Sequence, residues 1–169
     1  FSLGNFSFAK YEILLISISL IMVVDTISDF LVSNIYRKKF LSIDYGTKYI
    51  GTAISDQTYI ISIPYKTLDE KSLKDGINEI IEKENIYGII IGMPYHLDGS
   101  ESEMSDQVRK FSLALSKIIK NPILLLDERL SSKGHKSKKK DYSTSVHEKS
   151  ACLILDDFLS LYKNSLSGI

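Results

Sequence analysis

A lone cysteine, Cys152, leaves no partner for a disulfide within the 169-residue chain and excludes any Cys-x-x-Cys zinc site. It sits in the apolar run 151–155, where a thiol packs as a small, inert hydrophobe. Charge of either sign is equally lacking in excess: Lys+Arg and Asp+Glu both number 21. A surface for a polyanion must therefore be a local patch and not a global bias. GxGxxG, the Walker phosphate loop and HExxH are all missing, so the cofactor and metal classes that carry those motifs are excluded. No apolar run reaches the ~18–20 residues that span a bilayer.

What the chain does have is enough apolar material for a core, 44% hydrophobic against 25% charged residues, at a length suited to one domain with an appendage. Composition shifts near residue 40. Residues 13–24 (ILLISISLIMVV) carry no charge, and Arg37, Lys38 and Lys39 follow. Residues 1–39 are therefore read as a hydrophobic leader, the pattern of a targeting presequence. The alternative is a buried helix packed on the domain. The domain itself is expected over 40–163, with a tail at 164–169.

Within it, residues 40–43, 49–55 and 59–65 read as strands of an antiparallel meander, since only a few turn residues separate them. Residues 73–85 have helical spacing, and 87–91 (YGIII) form a continuous apolar run suited to a strand buried on both faces. A helix over 102–119 ends at Asn121-Pro122, a strand covers 122–126, and an amphipathic helix covers 146–162. The order predicts an α/β fold: a mixed five-stranded sheet, three antiparallel strands then two parallel, with helices on both faces.

Acidic residues collect where strands end. Asp44 closes the first strand, Asp127 and Glu128 follow the last, and Glu148 opens the final helix. Three carboxylates from separate elements suit a hard, oxygen-loving cation, Mg²⁺ or Mn²⁺. Each also has an ordinary role: Asp44 as a turn residue before Gly46, Asp127-Glu128-Arg129 as a salt-bridged strand end, Glu148 as a complement to the helix dipole. Gly92, Pro94, Asp98 and Gly99 shape a loop leading into the helix that Ser100 or Ser102 caps. His96 reads as a loop histidine. Lys133, Lys136, Lys138, Lys139 and Lys140 form the best candidate for a phosphate-backbone patch, which Lys48 and Arg109 could extend. No aromatics interleave those lysines, so stacking on single strands is not indicated by them.

Four segments in order, LSIDYGTKYIGTAISD (41–56), IIIGMPYHLDGSESEMSDQVRKF (89–111), LLLDERLSS (124–132) and VHEKSACLILDDFL (146–159), closely resemble the YqgF/RuvX family. Its members are described as pre-16S rRNA nucleases and as Holliday-junction-resolvase-like proteins. The resemblance implies an RNase H-like fold, Asp44 as first-strand metal ligand, Asp127 as the acidic residue after the fifth strand, and Glu128 and Arg129 as the rest of a DER signature. It places Glu148 where the family usually has Asp, one methylene shorter. Tyr49 stands where the family usually has Arg, His96 where it usually has Asn, and the segment after Leu130 is short. The implied function is a metal-dependent nuclease processing the 5′ end of precursor small-subunit (pre-16S) rRNA. A resolvase of four-way DNA and a catalytically weak nucleic-acid-binding module for ribosome assembly are the alternatives. Expected partners are RNA or branched DNA and ribosomal particles, as a monomer or homodimer with no mature membrane span. A real leader implies a plastid or mitochondrion; otherwise the cytoplasm is expected. The Asp44–Thr47 hairpin also resembles the phosphate loop of the actin/hexokinase superfamily, but that architecture needs a second similar half for which the chain has no room.

Overall fold

The computed structural model describes residues 22–95, 102–127 and 144–167. Six strands, β1 (Val23–Val24), β2 (Lys39–Asp44), β3 (Ile50–Ser55), β4 (Ser62–Leu68), β5 (Ile86–Met93) and β6 (Ile123–Asp127), form one sheet in the order β1-β6-β5-β2-β3-β4. Four helices accompany them: α1 (Ile27–Phe30), α2 (Glu70–Glu84), α3 (Glu103–Ser116) and α4 (Val146–Ser167). β2, β3 and β4 are the antiparallel meander; β5 pairs parallel with β2, and β6 parallel with β5.

β5 is buried at every position, as its unbroken apolar run requires of a strand covered on both faces. Alternation across the pleat divides the core in two. Leu41, Ile43, Ile89, Ile91, Ile123 and Leu125 pack with Leu73 and Ile77 of α2 and with Val108, Phe111 and Leu115 of α3. Phe40, Ile90, Leu124 and Leu126 pack on the other face with Ala151, Leu155 and Phe158 of α4. α2 starts where Asp69 accepts from the Ser72 amide and stops at Asn85, whose left-handed φ of 51° ends the helix. α3 starts at Ser102, which exchanges a reciprocal capping pair with Ser105.

Two elements differ from expectation. The sheet has six strands and not five, because Val23 and Val24 pair with Ile123 and Leu124 on the outer edge of β6. The segment that composition sets apart packs on the domain from residue 22 onward. Phe30 of α1 is fully buried between Phe40, Tyr87 and Phe158, and the Tyr87 hydroxyl donates to its carbonyl at 2.9 Å. Residues 1–21, the greater part of the expected leader, lie outside the described residues. Truncating a buried aromatic removes its transfer free energy and leaves a cavity. Phe30→Ala is therefore expected to cost about 3–5 kcal/mol, measured by urea unfolding.

β4 begins later than the apolar pattern suggests because the Asp56 carboxylate collects the amides of Thr58, Ile60 and Ile61. Those donors serve the turn and not a strand ladder. Although partial burial pushes the Asp56 carboxyl up, its hydrogen bonds from Thr58, Ile61 and Ile60 prevail and hold it at about 2. A folded pKa below the unfolded value of 3.8 stabilises the fold above the unfolded pKa, and this contribution disappears as pH falls through the folded pKa. After discounting for solvent screening, Asp56→Asn is expected to lose about 1 kcal/mol at pH 7 and almost none near pH 2. Urea unfolding of both proteins across that range measures it.

Candidate active site

Asp44 ends β2, the strand at the centre of the sheet, and the pleat turns it toward the face that α4 covers, with Phe40 and Ser42. Opposite it on β3 stands Gly51, and opposite Gly51 on β4 stands Thr67. The first turn of α4 lies over this cross-strand row. A Cβ at Gly51 would stand 1.9 Å from the His147 carbonyl oxygen and 2.9 Å from the Glu148 amide nitrogen, so only glycine admits the helix at this distance. Further along, the buried Ser42 hydroxyl donates to the Ala151 carbonyl at 2.8 Å and pins α4 to β2.

The helix start is organised around two hydroxyls. Ser145 accepts from the Glu148 amide at 3.2 Å, and its Oγ lies 2.6 Å from Thr67 Oγ1. Thr67 Oγ1 donates to Glu148 Oε1 at 2.9 Å. Glu148 is thus directed to the β4 side of Gly51 while Asp44 lies on the β2 side. Burial pushes the Asp44 carboxyl above its usual value; the neighbouring His147 and a hydrogen bond with Ser150 act in the opposite direction. Two carboxylates therefore flank the N-terminus of one helix, where the aligned backbone dipoles favour negative charge.

Asp127 ends β6 beside Met93 of β5, so a whole strand separates it from Asp44. Ile123 and Leu125 pack on the α2/α3 face and Leu124 and Leu126 on the α4 face. Continued alternation gives Asp127 the α2/α3 face, opposite to that of Asp44. Among the described residues, no group of three His, Cys, Asp or Glu side chains is gathered to hold a metal ion. Glu128, Arg129, Lys133, Lys136, Lys138, Lys139 and Lys140 lie outside the described residues, as do His96, Asp98, Gly99 and Ser100.

The remaining expected residues have visible roles. A Cβ at Gly46 would stand 2.6 Å from the Tyr49 carbonyl oxygen, which fits a tight β2–β3 turn. Gly92 is buried within β5, and the Pro94 carbonyl accepts from the Ser102 and Ser105 hydroxyls at 2.9 and 2.6 Å. Arg109 donates to the Tyr95 hydroxyl at 3.0 Å. Lys48 is exposed, with its ammonium 5.0 Å from the centre of the Tyr49 ring. Sequence reasoning missed Gly51, Thr67 and His147. A glycine inside an apolar strand was the available signal for the first, and Ser145-x-x-Glu148 for the capped helix start.

Residues 38–161 match the family model described as RuvX, Holliday junction resolvase. A relative from Maridesulfovibrio salexigens is 46% identical over 98 residues, covering 56% of this chain and 72% of its own. Another from Rickettsia rickettsii (strain Sheila Smith) is 34% identical over 153 residues, covering 85% of this chain and 99% of its own. Both carry the name "Putative pre-16S rRNA nuclease". The structure of Thermus thermophilus RuvC superposes with a TM-score of 0.51 at 9% identity, over 75% of this chain and 96% of that one, and the shared fold is RNase H-like. With the four motifs in order and the family model spanning the whole sheet from β2 onward, the chain belongs to the RuvX family.

Proposed function

We propose that this chain is a divalent-metal-dependent nuclease that hydrolyses phosphodiester bonds in precursor small-subunit rRNA. The observation that carries the reading is Asp44: a half-buried carboxylate at the end of the central strand, under the N-terminus of α4, in a RuvX-family chain. The names of its relatives support rRNA as the substrate. The donor chemistry fits a hard cation. Mg²⁺ is commonly held by one or two carboxylates, with water and substrate phosphate oxygens completing its shell. Asp44 and Glu148 would hold it from the two sides of Gly51, and when bound it polarises the phosphate and activates water for attack. A cation there also offsets the desolvation that pushes the Asp44 carboxyl up.

The chain's own groups do the rest. The N-terminus of α4 favours the phosphate through its oriented amides. Exposed Lys48 at the hairpin tip neutralises backbone charge, as do the lysines over 133–140. Thr67 and Ser145 fix the start of α4 and the rotamer of Glu148, so they act as positioning residues. Asp127 faces away from α4, so Asp127→Asn is expected to slow cutting at least tenfold less than Asp44→Asn does. Single-turnover rates of the two variants decide this.

The test of substrate is a competition between a labelled precursor-rRNA leader and a labelled four-way DNA junction, with the full chain and Mn²⁺. Preferential cutting of the leader supports the reading, and preferential cutting of the junction replaces it with resolvase activity. Binding without cutting of either would favour the catalytically weak module, for which the Glu148–Thr67 bond is the structural argument. An organellar destination for the leader is part of the same proposal. Residues 1–39 fused to a fluorescent reporter are expected to direct it to an organelle, and diffuse signal removes that element.

A further inference from the structure

We infer that Tyr49 is a stacking platform for an unpaired nucleobase next to the phosphodiester held at Asp44, and that this chain therefore favours sites where that nucleotide is unpaired. The inference rests on the nuclease reading and adds a specificity determinant to it. Tyr49 stands two residues before Gly51, which pairs with Asp44, so the pleat gives Tyr49 the same face as Asp44 at the hairpin tip. Its ring leans on His147 of α4, with centroids 5.6 Å apart and planes at 47°, yet the residue remains 44% exposed. A large aromatic side chain is thus braced by the helix that covers the site and left open to solvent.

Every base has a π-face, so an aromatic platform accepts bases with little regard to sequence. In a duplex those faces are occupied by neighbouring bases, and an unpaired nucleotide can offer its own. The Lys48 ammonium now stands near the ring, but a cation–π contact at an exposed site is weaker than base stacking. An incoming base displaces it and frees Lys48 for the adjoining phosphate. An arginine in place of Tyr49 would hold phosphate in paired and unpaired substrates alike. Tyrosine discriminates between them.

The experiment uses the full chain and Tyr49→Ala, Tyr49→Phe and Tyr49→Arg, each checked by its melting curve. Oligonucleotides carrying 2-aminopurine beside the cut site, either unpaired or paired, are bound in EDTA and followed by fluorescence, and cutting is measured in parallel with Mn²⁺. Quenching of the unpaired probe is expected for the wild type and Tyr49→Phe and not for Tyr49→Ala or Tyr49→Arg. KM for the unpaired substrate is expected to rise about tenfold in Tyr49→Ala with kcat little changed, and KM for the paired one to stay constant. Equal quenching in Tyr49→Ala, or equal wild-type affinity for the two probes, overturns the inference. If either result accompanies normal cutting, the nuclease reading stands and the platform falls. Quenching that depends on Tyr49 without any cutting keeps the platform and removes the nuclease.

Discussion

Gly51→Ala is expected to destabilise the chain by about 3 kcal/mol and to abolish cutting in the fraction that stays folded. The added methyl carbon would stand 1.9 Å from the carbonyl oxygen of His147, which is backbone and cannot swing aside. The first turn of α4 must lift, and with it go the bond from Thr67 to Glu148 and the electrostatic influence of His147 on Asp44. The same helix contributes Ala151, Leu155 and Phe158 to the core, so the displacement is felt in stability as well as in the site. For a chain of this size the loss corresponds to a melting temperature lower by roughly 6–12 °C. Gly76→Ala is the contrasting glycine: it lies in α2 with nothing within 4 Å of the added carbon. Its alanine is expected to stabilise by about 1 kcal/mol through helix propensity alone.

Asp44→Asn separates function from stability in the opposite sense. Removing the Asp44 charge from the site is expected to lower the cutting rate by at least ~10³-fold, the scale seen when a key electrostatic group is lost. Stability should not fall with it. Burial raises the folded pKa of Asp44 above its unfolded value of 3.8, so at neutral pH the ionised carboxylate opposes folding, and protonation relieves that cost as pH drops below the folded pKa. Asparagine is neutral at every pH and retains an oxygen for the Ser150 hydrogen bond. The variant should therefore melt at or above the wild-type temperature at pH 7, with the gap closing as the solution is acidified. A variant that is inactive because it is unfolded would show the reverse.

Much of this could be read from the residues. β5 and residues 123–126 of β6 read as apolar runs because both of their faces are covered, and that burial leaves its mark along them. α3 announces its start through Ser102, whose side chain can satisfy free amides, whereas α2 starts at Glu70, three residues before the apolar spacing that marks it. Asp44 was visible as an acid at the end of an apolar strand, and the four motifs supplied the family. The segment before residue 40 was harder to place: Val23, Val24 and Phe30 are as apolar as a leader, and only the open edge of β6 and the space beside Tyr87 show that they belong to the core. The site was legible as a set of residue types but not as a geometry. Whether a strand-end carboxylate faces α4 or α2 depends on a pleat register that a difference of one residue inverts, which is why Asp127 and Asp44 part company. Glu148 could be seen to open a helix, but its bond to Thr67 depends on the pairing of β4 with β3, 81 residues apart in sequence from the partner it meets.

The proposed nuclease chemistry depends on the Asp44 carboxylate and a divalent cation. Single-turnover cutting of a 5′-labelled precursor small-subunit rRNA leader by the full chain tests this most directly, in Mg²⁺ or Mn²⁺, then in excess EDTA, with Asp44→Asn alongside. The expected result is cleavage that stops on chelation, returns when the metal is restored, and is missing from the variant although it melts normally. Cleavage that persists in EDTA, or that Asp44→Asn performs at the wild-type rate, would contradict the account.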